Sequence, residues 1–304
     1  MEIIGNLNFQ LNNTAVCIGK FDGMHRGHRF LMAEAKKERL TAVMFTFLFD
    51  DASFLYGREE KRVLAESLGV DILLEIPATE QFLGMSPEDF VRDILAGRCD
   101  AKKVVVGEDF RFGYQRMGDA KFLQEAGENF GIQVLAIEKL REEGEIISST
   151  RIRKLLSQGK MYPVNKMLVT PYFIRGTVRR GKKLGRTMEV PTANICPQQG
   201  KVLPPFGVYA VFVENEGEIY SGIGNLGVKP TIPGKNPAGL EVWLFDYEGD
   251  LYDKEITVYL MDFQRKEKKF ESLDKLHEQI VRDTEQAKKT LAHIMTEKKL
   301  HVGL

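Results

Sequence analysis

Along the first half of the chain, short apolar runs alternate with stretches in which apolar residues recur every three or four positions. Ala15 to Ile18, Thr41 to Phe47, Ile72 to Ile76, Lys103 to Val106 and Gln133 to Ile137 read as strands. Arg29 to Arg39, Glu59 to Leu68, Pro87 to Leu95 and Lys121 to Phe130 carry the helical period between them. This alternation predicts an α/β domain, a parallel sheet with helices on both faces. Such sheets bind ligands at the carboxyl ends of their strands. The second half has a different rhythm. Alternating strands such as Val208 to Val213 and Leu240 to Asp246 succeed one another across Gly/Pro turns before any helix appears, which predicts an antiparallel barrel or sandwich. Ser272 can cap a terminal helix from Leu273 to about Lys298, with Leu273, Leu276, Ile280, Ala287, Leu291 and Ile294 on one stripe.

Proline usage marks the boundary between the two rhythms: Pro77 and Pro87 alone precede residue 160, and nine prolines follow it. We therefore divide the 304 residues into domains 1–160 and 161–304, each long enough to bury a core. A hydrophobic share of 43% with 28% charged residues excludes disorder and fibrous repeats. Lys and Arg balance Asp and Glu at 43 each, so no global field draws the chain to nucleic acid or an anionic membrane, and neither is expected as a partner. Any affinity for phosphate has to be local. Cys17, Cys99 and Cys196 show no metal-binding spacing and suit reduced thiols. Residues 1–6 lack the order of a signal peptide, and no run approaches the roughly 18 apolar residues of a membrane span, so a cytoplasmic location is expected. Nothing in the pattern indicates an oligomeric state.

The first candidate site follows the strand ending at Ile18. Gly19-Lys20-Phe21-Asp22-Gly23-Met24-His25-Arg26-Gly27-His28 combines glycines that admit a ligand to the backbone with a helix amino end whose N–H groups suit phosphate. Imidazoles three residues apart can hydrogen-bond phosphate oxygens as charge develops. A plain Gly-rich turn and a zinc site are the competing readings. Neither an HExxH sequence nor a nearby cysteine supports zinc. The His-x-Gly-His spelling on a strand-loop-helix resembles the nucleotidylyltransferase superfamily. Further on, Ser148-Ser149-Thr150-Arg151 opens an apolar-periodic helix; Arg151 near its amino end is unfavourable by about 0.3–1 kcal/mol unless an anion answers it.

With Gly107-Glu108-Asp109-Phe110-Arg111-Phe112-Gly113 after a strand, these segments in this order resemble the FAD synthetase half of the bacterial bifunctional riboflavin kinase/FAD synthetase family. The resemblance implies a Rossmann-like fold in which Gly19, Phe21, Asp22, Gly23, His25, Gly27, His28, Ser149, Thr150 and Arg151 bind ATP. His25 and His28 would stabilise the transition state, and FMN phosphate would attack the α-phosphate. One stretch departs from the family. Where a Phe-acidic-Pro-His-Pro sequence is usual, this chain has Phe47-Leu48-Phe49-Asp50-Asp51. A second reading is therefore kept, a riboflavin kinase whose degenerate first domain binds nucleotide without turnover.

The second candidate site begins at Gly176-Thr177-Val178-Arg179-Arg180-Gly181-Lys182-Lys183-Leu184-Gly185-Arg186, a basic glycine-rich run whose plain reading is a solvated loop. Pro191-Thr192-Ala193-Asn194 then offers a hydroxyl and an amide two residues apart, neutral oxygens suited to Mg²⁺ or a phosphate. Strand alternation sets Glu241 on one face with Trp243, Phe245 and Tyr247, where lost hydration favours a general base; an exposed edge Glu is the alternative. No P-loop sequence occurs. The GxGxxG at Gly222 to Gly227 is read as a turn without an NAD site, because Val228 to Pro233 cannot start the required helix.

These segments, with Gly207 to Ala210, Asn225 to Thr231, Gly249 to Tyr252 and Arg265 to Phe270, resemble the riboflavin kinase module, a small antiparallel barrel with a carboxyl-terminal helix. The resemblance implies that Gly176, Gly181, Lys182, Gly185, Thr192 and Asn194 bind ATP, with Thr192 and Asn194 on Mg²⁺. Glu241 would take the proton from the ribityl hydroxyl, and Arg265 and Glu267 would contact flavin. The expected function is then phosphorylation of riboflavin to FMN and adenylylation of FMN to FAD with release of pyrophosphate. Riboflavin, FMN and ATP are the expected partners, with Mg²⁺ accompanying ATP.

Overall fold

A computed structural model describes residues 1–49, 53–179, 192–228 and 238–296. The chain forms two compact units, Met1–Ser149 and Thr150–Leu304.

The first unit contains β1 (Glu2–Ile4), β2 (Thr14–Ile18), α1 (Arg26–Ala35), β3 (Thr41–Leu48), α2 (Arg58–Ser67), β4 (Ile72–Pro77), the short α3 (Glu80–Leu83) and α4 (Pro87–Asp89). A π-helical segment, Phe90–Arg98, continues α4, followed by β5 (Ala101–Gly107), β6 (Arg111–Phe112), β7 (Gly118–Asp119), α5 (Ala120–Glu128), β8 (Gln133–Ile137), β9 (Arg141–Glu142) and β10 (Glu145–Ile146). All five predicted strands form. With β1 they make a parallel six-stranded sheet in the order β1-β4-β3-β2-β5-β8.

Alternation along those strands explains how both faces are covered. Val16, Ile18, Val43, Phe45, Leu74, Ile76, Val104 and Val106 share one core with Phe82, Phe90, Val91, Ile94, Leu95 and Leu123. Within it the rings of Phe45, Phe47, Phe82, Phe90 and Phe112 form a chain with neighbouring centroids 5.4–6.4 Å apart. Burying each such ring removes apolar area worth about 1.5–3 kcal/mol. The opposite face, with Ala15, Cys17, Met44 and Val105 buried, is where α1 packs over β2, β3 and β5. The predicted helix over Pro87 to Leu95 is instead a single turn leading into π geometry, and Cys99 N donates to Ile94 O five residues back at 2.8 Å. Spacing of apolar residues at three and four does not discriminate between α and π winding.

Sheet order locates the ligand crevice. From β2 the chain moves outward through β3 to β4, then crosses to the other side of β2 to lay down β5. The switch point lies between β2 and β5, and the loops leaving their carboxyl ends are Gly19–His25 and the turn beginning at Glu108.

The second unit takes in most of α6 (Ser149–Ser157), then α7 (Met161–Met167), β11 (Phe173–Thr177), β12 (Ala193–Ile195), β13 (Gly207–Asn215), β14 (Glu218–Val228), β15 (Ala238–Leu244), β16 (Glu255–Lys266) and α8 (Leu273–Thr296). Its strands are antiparallel in the order β11-β16-β13-β14-β15-β12. A bridge between Arg179 and Asn194, with Arg179 N donating to Asn194 O at 2.8 Å, joins the first strand to the last and closes the barrel. α7 is tied to the barrel by Asn165, which donates to Leu260 O at 3.0 Å and accepts from Tyr172 N at 2.9 Å. Ser272 caps α8 as predicted, its Oγ accepting from Lys275 N at 3.2 Å. On the helix stripe Ala287 and Leu291 are buried, whereas Leu273 at the first position is exposed.

The reading of Gly222 to Gly227 as a turn is wrong: all six residues lie within β14. A Cβ on Gly222 would stand 2.6 Å from the Trp243 carbonyl oxygen, and one on Gly224 would press on Leu240 and Val211 at 3.1 and 3.2 Å. The glycines make room inside a narrow barrel, where side chains of β13 and β15 already fill the space.

Candidate functional sites

In the first unit, the loop leaving β2 is bent at three closely spaced residues. Phe21, Gly23 and Met24 have φ of 46°, 82° and 34°. Gly23 is required there, since a Cβ would lie 2.7 Å from Leu55 Cδ1. Gly19 N donates to Phe45 O at 3.1 Å, Asp22 Oδ1 accepts from Leu55 N at 2.8 Å, and Ser149 Oγ donates to the Asp22 carbonyl at 2.6 Å. The sequence-predicted residues Gly19, Phe21, Asp22, Gly23, His25, Gly27, His28 and Ser149 therefore converge on one loop and helix start. Thr150 and Arg151 are the next residues of α6 and belong to the second unit.

His25 occupies the position before α1 and His28 its first turn, so the helix period stacks their rings, with centroids 3.7 Å apart and planes 17° apart. His25 N donates to His28 Nδ1 at 3.3 Å, while His25 Nδ1 is buried without a partner. Gly27 is small for a local reason: a Cβ there would meet His25 Nδ1 at 3.0 Å. Burial holds the His25 imidazole down to about 4, against the opposing pull of Asp22. Burial, with His25 and Lys61 nearby, holds His28 well below the usual histidine value. Both rings are neutral at pH 7, presenting N–H donors and an unsatisfied nitrogen instead of positive charge.

Two further side chains reach this loop from distant parts of the sequence and carried no motif. Thr46 Oγ1 of β3 and Lys61 Nζ of α2 both donate to the Lys20 carbonyl, at 3.1 and 3.2 Å. Behind them Glu75, fully buried on β4, binds Arg58 and Arg62 at 2.7 Å each. Asp50 and Asp51, the departure noted in the sequence, lie outside the described residues.

In the second unit, antiparallel register assembles the other site. Asn194 of β12 pairs with Glu241 of β15, and Glu241 pairs on its other side with Asn225 of β14. Directly opposed residues share a face with Cβ atoms about 4.5–5.5 Å apart, so Asn194, Glu241 and Asn225 form a half-buried polar row outside the barrel, opposite the buried Leu240, Val242 and Leu244. Asn194 Nδ2 donates to Thr192 O at 3.4 Å, two residues back where the chain enters β12. Asn225 Nδ2 extends the row to Glu267 Oε1 at 3.3 Å. Arg265, two residues earlier on β16, is held by Asp283 of α8 through contacts of 2.5–3.0 Å, and its guanidinium lies 5.8 Å from the Phe270 ring. Alternation from Glu241 reaches Trp243 and then stops: β15 ends at Leu244, Phe245 is buried, and Asp246 has φ of 56°. Gly176 lies in β11 beside Ile195 of β12, whereas Gly181, Lys182 and Gly185 lie outside the described residues.

Thr192 and Asn194 supply neutral oxygens beside a carboxylate, a donor set that fits Mg²⁺, which favours oxygen ligands and keeps water in its shell.

Comparison with known proteins resolves the family. The FAD synthetase family model matches residues 8–151 and the riboflavin kinase model residues 168–291. A bifunctional riboflavin kinase/FMN adenylyltransferase from Escherichia coli (strain K12) is 39% identical over 281 residues, covering 88% of this chain and 89% of that protein. One from Pseudomonas fluorescens is 34% identical over 295 residues, covering 93% and 94%. The chain belongs to the bifunctional riboflavin kinase/FMN adenylyltransferase family. Both halves of the family are present, so the kinase-only alternative is not supported. A crystal structure described as a macrolide-efflux protein from Streptococcus pneumoniae shares the architecture, with a TM-score of 0.82, 29% identity and coverage of 94% of this chain and 98% of that one. Among the described residues of the present chain, no helix is long and apolar enough to cross a membrane.

Proposed function

We propose that this chain makes FAD from riboflavin in two ATP-consuming steps, phosphorylation to FMN in domain 161–304 and adenylylation of FMN in domain 1–160. The observation that carries the reading is the row Asn194–Glu241–Asn225, set by strand register next to Thr192. In the kinase step Glu241 accepts the proton of the ribityl 5′-hydroxyl as that oxygen attacks the γ-phosphate. Thr192 and Asn194 would hold Mg²⁺, which when bound neutralises phosphate charge. Gly176, with Gly181, Lys182 and Gly185, frames the nucleotide, while Glu267, and Arg265 set by Asp283, face the flavin. Phosphoryl transfer asks for positioning and charge stabilisation, which a rigid barrel face supplies.

In the adenylylation step the FMN phosphate is itself the nucleophile, so no side chain need form a covalent intermediate. Neutral His25 and His28 donate hydrogen bonds to the polyphosphate as charge moves toward departing pyrophosphate. Gly19, Phe21, Asp22, Gly23 and Gly27 shape the loop, and Ser149, Thr150 and Arg151 bind phosphate oxygens. Riboflavin, FMN and ATP are the partners of this scheme. Neither nucleic acid nor membrane enters it, and it suits a cytoplasmic enzyme.

Two substitutions separate the steps. Glu241→Gln is expected to lower FMN formation at least about 100-fold and to leave FAD formation from supplied FMN intact. His28→Ala is expected to do the reverse. Equal loss of both activities in either variant, measured by chromatography of the flavins, would contradict two independent sites.

A further inference from the structure

The Lys20 carbonyl accepts from two side chains at once, Thr46 Oγ1 at 3.1 Å and Lys61 Nζ at 3.2 Å. It belongs to the peptide entering Phe21, whose φ of 46° lies in the left-handed region that a bulky aromatic residue avoids. Rotation of that peptide would relieve Phe21 and break both hydrogen bonds. Phe21 meets His28 edge-on with centroids 5.1 Å apart, and His28 stacks on His25 at 3.7 Å. The orientation of one peptide is therefore passed directly to both imidazoles.

Burial lowers the Lys61 ammonium from its usual value, while Asp22 from the loop and Glu75 from β4 pull the other way. Lys61 in turn helps to hold His28 of α1 low. On α2 itself, Arg58 and Arg62 are turned to Glu75 Oε2, and Glu75 Oε1 is buried without a partner.

We propose that Lys61 is a positioning residue of the adenylyl-transfer site: together with Thr46 it pins the Lys20–Phe21 peptide and so sets the His25–His28 pair for the polyphosphate of ATP. The proposal rests on reading the first unit as an adenylyltransferase and adds a residue from outside its motifs. Both donors lie far from the histidines in sequence and on separate elements, β3 and α2, so they act through the carbonyl they share.

The test uses the full chain with Lys61→Met, Thr46→Val, the double variant and Lys61→Arg. Two quantities are read: kcat for FAD formation from FMN and Mg-ATP, and affinity for inorganic pyrophosphate by calorimetry. Each neutral single variant leaves the carbonyl one donor and is expected to lose about tenfold or less; the double variant leaves none and is expected to lose more than the product of the singles. Lys61→Arg, which keeps a charged donor, is expected to recover to within about threefold of wild type. FMN formation from riboflavin, made in the other domain, is expected to be unchanged throughout. Wild-type kcat and pyrophosphate affinity in Lys61→Met, or losses that simply multiply, overturn the proposal. If the wild-type chain makes no FAD yet binds pyrophosphate, a more-than-multiplicative loss of that affinity upholds the role of Lys61 while adenylylation falls. A wild-type chain that neither makes FAD nor binds pyrophosphate overturns both.

Discussion

At the scale of single residues, the histidine pair shows how burial decides chemistry. His25 held down to about 4 and His28 held well below the usual 6.5 are both neutral when folded. As pH falls through 6.5 the unfolded chain takes up protons first, so the stabilising contribution is complete above that pH and is lost progressively toward 4. The denaturant midpoint of the first unit is therefore expected to fall between pH 7 and 4.5, and the His25→Gln, His28→Gln double variant to fall less steeply. Equal slopes in the two proteins would contradict buried neutral imidazoles. The pair itself was legible in the sequence because its residues are neighbours on one helix turn. Lys61 and Thr46 were not, because only the folding of β3 and α2 against the loop brings them to the Lys20 carbonyl.

Among the elements, legibility followed the density of apolar residues in each run. β2, β3, β4 and β5 are largely buried apolar runs, and the edge strand β8, in which no residue is fully buried, still reads as a strand from Val134, Leu135 and Ile137. β1 is three residues long, and β6, β7, β9 and β10 are two residues each, too short to show any period. β14 was misread because its glycines imitate a turn, whereas they answer crowding inside the barrel. Gly222→Ala is accordingly expected to destabilise the second unit by about 1–3 kcal/mol through overpacking, with the first unit unaffected in the same denaturation experiment. A null change there would show that the Trp243 carbonyl yields. The clamp from β16 to α8 offers a companion test. Asp283 is buried and receives Arg265, which stays partly exposed, so Asp283→Ala is expected to cost the second unit about 1.5–3 kcal/mol through the lost charge-assisted hydrogen bonds. It is expected to weaken FMN formation by releasing Arg265 from its set orientation.

At the scale of the whole molecule, two unrelated architectures each carry a candidate nucleotide site. In the scheme proposed above the parallel sheet would use its switch point, a strained loop and a helix start, and the barrel the outer faces of three strands in register. Hydrophobic periodicity foretold both architectures, and the ordered motifs foretold both families, because each motif sits on contiguous residues. The cross-strand alignment of Asn194, Glu241 and Asn225 depends on register, which spacing along one chain does not specify. The most direct test of two working sites in one polypeptide is a single incubation of the purified chain with riboflavin and Mg-ATP, followed by separation of the flavins. The expected result is transient FMN followed by FAD, with pyrophosphate released in step with FAD. FMN that accumulates with no FAD, or riboflavin recovered unchanged, would contradict it.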